Sequence, residues 1–127
     1  MKALIKAALL LVFSLVAVRA AALNSEWRGY SHSRAQFVVS KNSVTPGGDF
    51  EAGLWIKLRP HWHSYWENPG DSGTAPIFKW SLPRDIKLSP ILWPTPERLV
   101  TSGLDSFAYS GEVFLLQRIS LPETFTG

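Results

Sequence analysis

Nine prolines fall between positions 46 and 122, and no stretch after residue 22 repeats apolar residues at i, i+3, i+4 and i+7 for three turns. Proline lacks a backbone donor and clashes with the preceding helical turn, so a chain punctuated this densely does not build long helices. Period-two alternation takes the place of the helical pattern. From Phe50 to Arg59, the residues Phe50, Ala52, Leu54, Ile56 and Leu58 fall on one face, with Glu51, Gly53, Trp55, Lys57 and Arg59 on the other. Ala35, Phe37 and Val39 form a shorter inward face, and Phe78, Trp80 and Leu82 another. The run from Glu112 to Leu121 starts apolar on both faces, as a central strand does. Thr45-Pro46-Gly47 and Asn68-Pro69-Gly70 carry the type II turn signature, in which Pro presets φ and Gly accepts φ > 0. Pro90, Pro94 and Pro96 keep their segment extended but poor in ladder donors. Short strands at this spacing predict an all-β fold, an immunoglobulin-like β-sandwich.

The first twenty of the 127 residues read as an export signal. Lys2 and Lys6 precede an apolar run, Ala7 to Val18, broken only by Ser14, and Val18-Arg19-Ala20 offers small residues where a signal peptidase cuts. A second possible cut follows Ala22. The run has 12 residues, whereas a bilayer core needs roughly 20. The expected mature chain, 21–127, is one secreted sandwich domain with no membrane span. Lys2, Lys6 and Arg19 are three of the 13 basic residues, so that domain holds 10 basic and 10 acidic side chains. A neutral domain has no footprint for nucleic acid, where phosphate neutralisation dominates affinity.

The chain has no cysteine, which excludes disulfides, thiol nucleophiles, thiolate zinc sites and a lipid-modified N-terminal cysteine. The strand ending at Leu121 is followed by Pro122-Glu-Thr-Phe-Thr-Gly127. A sandwich that has lost a final hairpin exposes an unpaired edge. The expectation is a C-terminally incomplete domain lacking its last strands.

Four constellations could carry chemistry. Gly70-Asp71-Ser72-Gly73 matches the tetrapeptide around a serine-protease nucleophile. Such a serine needs a histidine oriented by a buried carboxylate between two barrels, and this chain is too short, so a polar turn is expected. His61-Trp62-His63 would put two imidazoles on one strand face, followed by Tyr65, as weak copper or zinc candidates. A specific site wants three or four ligands, so no metal or other cofactor is assigned. Trp62 and Trp66 would share the opposite face and could stack on sugar rings, although tryptophan also serves as core bulk. Glu67 and Asp71 flank a turn and make a poor glycosidase pair.

Four ordered segments point further. Leu58-Arg-Pro-His-Trp-His-Ser-Tyr-Trp-Glu-Asn-Pro-Gly-Asp-Ser-Gly73 leads to Pro76-Ile-Phe-Lys-Trp-Ser-Leu-Pro83. Pro90-Ile-Leu-Trp-Pro-Thr-Pro-Glu-Arg98 and Phe107-Ala-Tyr-Ser-Gly-Glu-Val113 follow. The set, over roughly residues 34–122, resembles the N-terminal periplasmic domain of DsbD-type thiol:disulfide interchange proteins, nearest the subfamily of the copper-sensitivity suppressor ScsB. Its aromatic motif is Trp62, His63, Tyr65, Trp66, Trp80 and Trp93. The resemblance implies an immunoglobulin-like protein-disulfide reductase domain. Such a domain takes electrons from a membrane-embedded partner domain and passes them, through a cysteine pair, to thioredoxin-like or disulfide-isomerase proteins, including those that mature cytochromes c. It also implies that the pair lies beyond Leu121, so either the chain stops before it or this member has none, and this chain alone is expected to be inactive while still docking partners. Asp105, Phe107, Tyr109, Gly111 and Glu112 would form the family's cap loop, with Phe107 and Tyr109 as shielding rings. The same residues also fit the end of a hairpin. Position 61 is His where the family pattern has Gly, which gives His61 no family support as a ligand. The alternative function is a secreted binding module for glycan, through Trp62 and Trp66, or for copper, through His61 and His63.

Overall fold

A computed structural model describes residues 24–126; the expected signal segment and both candidate cleavage points lie outside the described residues. Eight strands and no helix occur among the described residues: β1 (Arg28–Gly29), β2 (Ser33–Val39), β3 (Asp49–Leu58), β4 (Ser64–Gly70), β5 (Lys87–Leu88), β6 (Glu97–Thr101), β7 (Leu104–Tyr109) and β8 (Glu112–Ser120). They form two antiparallel sheets, one of five strands in the order β1-β2-β3-β8-β5 and one of three in the order β4-β7-β6. The architecture is the expected all-β, immunoglobulin-like sandwich.

β3 and β8 are the two long strands, paired in unbroken register from Asp49↔Ser120 to Lys57↔Glu112. Alternation then sorts their side chains between the two faces. Val113, Leu115, Gln117 and Ile119 of β8 are buried, and Leu115 is the only large side chain with no exposed surface among the described residues. Tyr109 of β7 joins Val113 and Leu115 at the centre, with Ile56, Trp66, Phe78, Ile91 and Trp93 packed around them. The close approach of β3 to β8 depends on Gly53, where a Cβ would fall 2.1 Å from the Leu115 carbonyl oxygen.

Gln117 is the one polar side chain that β8 sends inward, and both ends of its amide are satisfied. The Trp80 indole N–H donates to its Oε1, and its Nε2 donates to the Ser89 carbonyl at 2.7 Å. Trp80 belongs to a segment whose alternation suggested a strand. Residues 76–82 do alternate between partly buried and exposed, yet they are in no ladder. Trp80 is instead secured by Gln117 and by an edge contact to Phe37, with ring centroids 5.8 Å apart. Periodicity reports which way side chains point; ladder pairing also requires a neighbouring strand.

The two predicted turns diverge. Thr45–Gly48 closes with Gly48 N–H donating to the Thr45 carbonyl at 2.9 Å, and Gly47 has φ +75°. Asn68-Pro69-Gly70 ends β4 instead, in a register irregularity between Tyr65 and Gly70 opposite β7. A bulge tolerates a proline because its missing donor falls where the ladder is already interrupted.

His61-Trp62-His63 is likewise not a strand. β4 begins at Ser64, and His61 sits in the turn before it with φ +68°. Trp62 N–H closes that turn by donating to the Arg59 carbonyl at 3.0 Å. The left-handed region is where glycine has no Cβ penalty, so the histidine here carries a cost that glycine would not.

Three outcomes test this description. Gly53→Ala drives a methyl into the β8 backbone and is expected to cost about 1–3 kcal/mol in urea unfolding. His61→Gly relieves a left-handed histidine and is expected to stabilise by up to about 1 kcal/mol, whereas His61→Val destabilises by about 1–2 kcal/mol. Burial, and then the charge of Glu67, raises the pKa of Tyr109, whose hydroxyl donates to the Pro94 carbonyl at 2.7 Å. The unfolded chain therefore releases this proton first. The stability Tyr109 contributes is complete below its ordinary value of about 10 and declines as pH rises through the folded one. Tyr109→Phe is expected to lower stability near neutral pH by about 1 kcal/mol and to flatten the alkaline decline.

Candidate functional site

The chemistry-bearing residues divide between two regions along β7. At its start, the Gly70–Gly73 tetrapeptide works as a clamp. Asp71 N–H donates to the Asp105 carbonyl at 2.7 Å, and Asp105 N–H donates to Asp71 Oδ2 at 2.8 Å. The Ser72 and Ser106 hydroxyls lie 2.8 Å apart. Arg98 Nε and Nη2 donate to the two carboxylate oxygens of Asp105, and this partner raises the arginine's pKa, through the hydrogen bond first and its charge second. Gly73 has φ +96°, and a Cβ there would strike the Tyr65 ring. Ser72 thus spends its hydroxyl on another serine. His63 lies at the other end of β7, where its strand neighbour Ser64 pairs with Tyr109. That is three residues from Ser106, about 10 Å at strand rise.

The second region is the end of the sandwich where three connections meet. Leu58 N–H donates to the Gly111 carbonyl at 2.6 Å and Arg59 N–H to the His32 carbonyl at 3.1 Å. Tyr30 N–H donates to the Ser33 carbonyl at 2.8 Å. These bonds tie the β1–β2, β3–β4 and β7–β8 turns into one surface. His63 is held there by Ser110. The Ser110 hydroxyl donates to Glu97 Oε2 at 3.1 Å, which leaves its oxygen to accept from His63 Nδ1, also at 3.1 Å. His32 stacks on Trp62 with centroids 4.1 Å apart, and Tyr30 continues the column at 6.4 Å from His32. Tyr30 and Trp62 remain well exposed.

Trp62 and Trp66 do not share a face. Trp66 packs against the core cluster and edge-on to Phe107, at 6.1 Å, while Trp62 stands outside β4 against His32. Likewise His61 and His63 belong to a turn, so the alternation that would align them does not operate. No group of three or more His, Cys, Asp or Glu is arranged to hold a metal among the described residues. Trp80 and Trp93 are packing residues, at Gln117 and at the core cluster respectively, and Tyr65 is packed over Gly73.

The segment from Asp105 to Glu112 is a strand and a turn, the hairpin end that stood as the alternative to a cap loop. Asp105 to Tyr109 lie in β7, the middle strand of the smaller sheet, with Ser106, Ala108 and Tyr109 buried. Only Ser110 and Gly111 form a connection, and Glu112 opens β8. The Tyr109 ring packs in the core cluster, and the half-buried Phe107 ring lies edge-on to Trp66. Of the five residues, Gly111 and Glu112 reach the surface formed by the three turns.

Sequence reasoning did not assemble Tyr30, His32, Arg34 and Lys57 with this surface. Arg34 lies directly across from Lys57, and Lys57 across from Glu112. On the outer face, Trp55 stacks on Phe114 at 5.1 Å, meets Trp27 at 4.9 Å and donates its indole N–H to Glu112 Oε2 at 2.9 Å. Lys57 Nζ lies 4.4 Å from the Trp55 ring. The one available sign was Trp55 and Lys57 on the polar face of the β3 alternation.

With this geometry in place, similarity to known proteins becomes informative. Residues 32–127 match the family described as thiol:disulfide interchange protein DsbD, N-terminal. The structure is similar to the crystal structure of the N-terminal periplasmic domain of ScsB from Proteus mirabilis, with a TM-score of 0.61 and 25% sequence identity. The match covers 77% of this chain and 39% of that one, so the chain spans about two fifths of the relative's length. No curated protein matches the chain. With the family match running through most of its length, the chain belongs to the DsbD N-terminal domain family of the thiol:disulfide interchange proteins.

Proposed function

We propose that this chain acts as the partner-docking part of a periplasmic protein-disulfide reductase system. Its partners would be thioredoxin-like or disulfide-isomerase proteins and the membrane electron-transfer domain of the same family. The observation that supports this reading most strongly is the family match across a sequence without a thiol. Disulfide exchange proceeds by thiolate attack through a mixed disulfide, so the electron-carrying thiolate must come from outside these 127 residues. The chain's own contribution is a rigid surface. Its contact is proposed at the end bearing Gly111 and Glu112, with Asp105, Phe107 and Tyr109 holding the turn in place from β7. Periplasmic placement draws on the relative, which is a periplasmic domain.

The purified chain is expected to show no insulin-reductase activity, with or without glutathione. It is expected to form a non-covalent complex with a periplasmic thioredoxin-fold protein, with equal affinity in oxidising and reducing buffer by calorimetry. Turnover by the cysteine-free chain would overturn the reading, as would affinity for such partners weaker than about 1 mM.

A further inference from the structure

Basic side chains outnumber acidic ones at the end of the sandwich. Among the described residues Arg98 and Arg118 form ion pairs, while Arg28, Arg34, Lys57 and Arg59 form none. These four line two open grooves that share Tyr30, Ser33, Arg34 and Leu58. Glu112 is the only acid lining either groove, and its Oε2 already accepts the Trp55 indole N–H.

The register sharpens the imbalance. Arg34 and Lys57 are direct cross-strand neighbours, a like-charge placement that destabilises a sheet. Both lean over the Trp27 ring, at 5.1 and 5.0 Å, which offsets part of the repulsion without neutralising it. Glu112, across from Lys57, is one carboxylate against four cations, and the excess positive charge generates a local potential that attracts an acidic ligand and speeds its encounter. Beside them stands the exposed Tyr30–His32–Trp62 column, an apolar seat with restricted freedom. β1, which carries Arg28, is an edge strand. Its outer backbone edge can accept an extended chain by strand addition.

We propose that this end of the sandwich binds an acidic, extended peptide segment of a partner protein. Its carboxylates lie against Arg28, Arg34, Lys57 and Arg59, and an apolar or aromatic side chain lies on the Tyr30–Trp62 column. The inference rests on the docking role proposed above for taking the occupant to be a protein. A peptide suits the site better than a saccharide because it supplies carboxylates, an apolar side chain and backbone donors together. One face of Trp62 is already covered by His32.

The test is a nuclear magnetic resonance titration of the isotope-labelled chain with a ten-residue peptide of alternating glutamate and tyrosine. Saturable shifts are expected in the amides of residues 28–34, 57–59, 61–63 and 110–112. Affinity is expected to fall about tenfold between ~50 and ~300 mM salt as screening increases. The exposed double variant Arg28→Glu/Arg59→Glu is expected to lose at least about tenfold while keeping a dispersed spectrum; Arg84→Glu/Lys87→Glu is expected to bind like the parent. Equal binding of a lysine–tyrosine peptide, shifts centred elsewhere, or no saturation would overturn the proposal. So would tighter binding of heparin than of the peptide, which would indicate an anionic polysaccharide. Failure with the peptide, together with intact capture of thioredoxin-fold partners by Arg28→Glu/Arg59→Glu, overturns this surface and leaves the docking role standing. Peptide binding by a chain that captures no such partner overturns the docking role.

Discussion

The pairing of β3 with β8 is the constraint on which the rest of the structure depends. It joins segments about sixty residues apart in an uninterrupted ladder, and each strand contributes side chains to both faces of the larger sheet. On the inner face it buries Leu115 and positions Gln117 to receive Trp80. On the outer face it puts Trp55 opposite Phe114, an aromatic cross-strand pair of the kind that stabilises sheets. A domain of this size without disulfides has few other ways to join distant segments. Gly53 is central to the arrangement, because the two backbones approach more closely than any side chain at that position would allow.

Polar groups complete what the small core leaves open. The Asp71–Asp105 exchange and the Ser72–Ser106 contact fasten the chain after β4 to β7, and Arg98 holds Asp105 from β6. At the other end, His63, Ser110 and Glu97 connect the approach to β4, the β7–β8 turn and β6. The smaller sheet is therefore fastened at both ends, and the end with the three turns is held as a surface. Rigidity there favours recognition, because ordering costs already met in folding are not charged again on binding.

Much of the fold was legible in the sequence, because alternation and turn chemistry are local. The β3 pattern placed Leu54 and Ile56 on the face opposite Trp55 and Lys57, and the Thr45–Gly48 turn followed from Pro46 and Gly47. Two readings changed and one alternative was decided, for one reason. Residues 76–82 alternate but have no partner strand, Asn68-Pro69-Gly70 became a bulge, and Asp105–Tyr109 took the hairpin form over the loop. In each case the local signal was compatible with two outcomes, and the hydrogen-bonding neighbours chose between them. His61 shows the reverse dependence: the turn requires a left-handed residue, and the sequence supplies a histidine at that cost.

By itself, the sequence determined that this chain is built of strands, that it performs no thiol chemistry of its own, and that its ordered aromatic and proline motifs are those of the DsbD N-terminal family. These follow from residue types and short-range spacing. Only the tertiary structure decided that Trp66 goes inward while Trp62 stands beside His32, that Tyr109 is buried, and that Arg34 faces Lys57 across a strand pair. Register between distant strands is set by the packing of the whole sandwich, and a shift of one residue would exchange every inward side chain for an outward one.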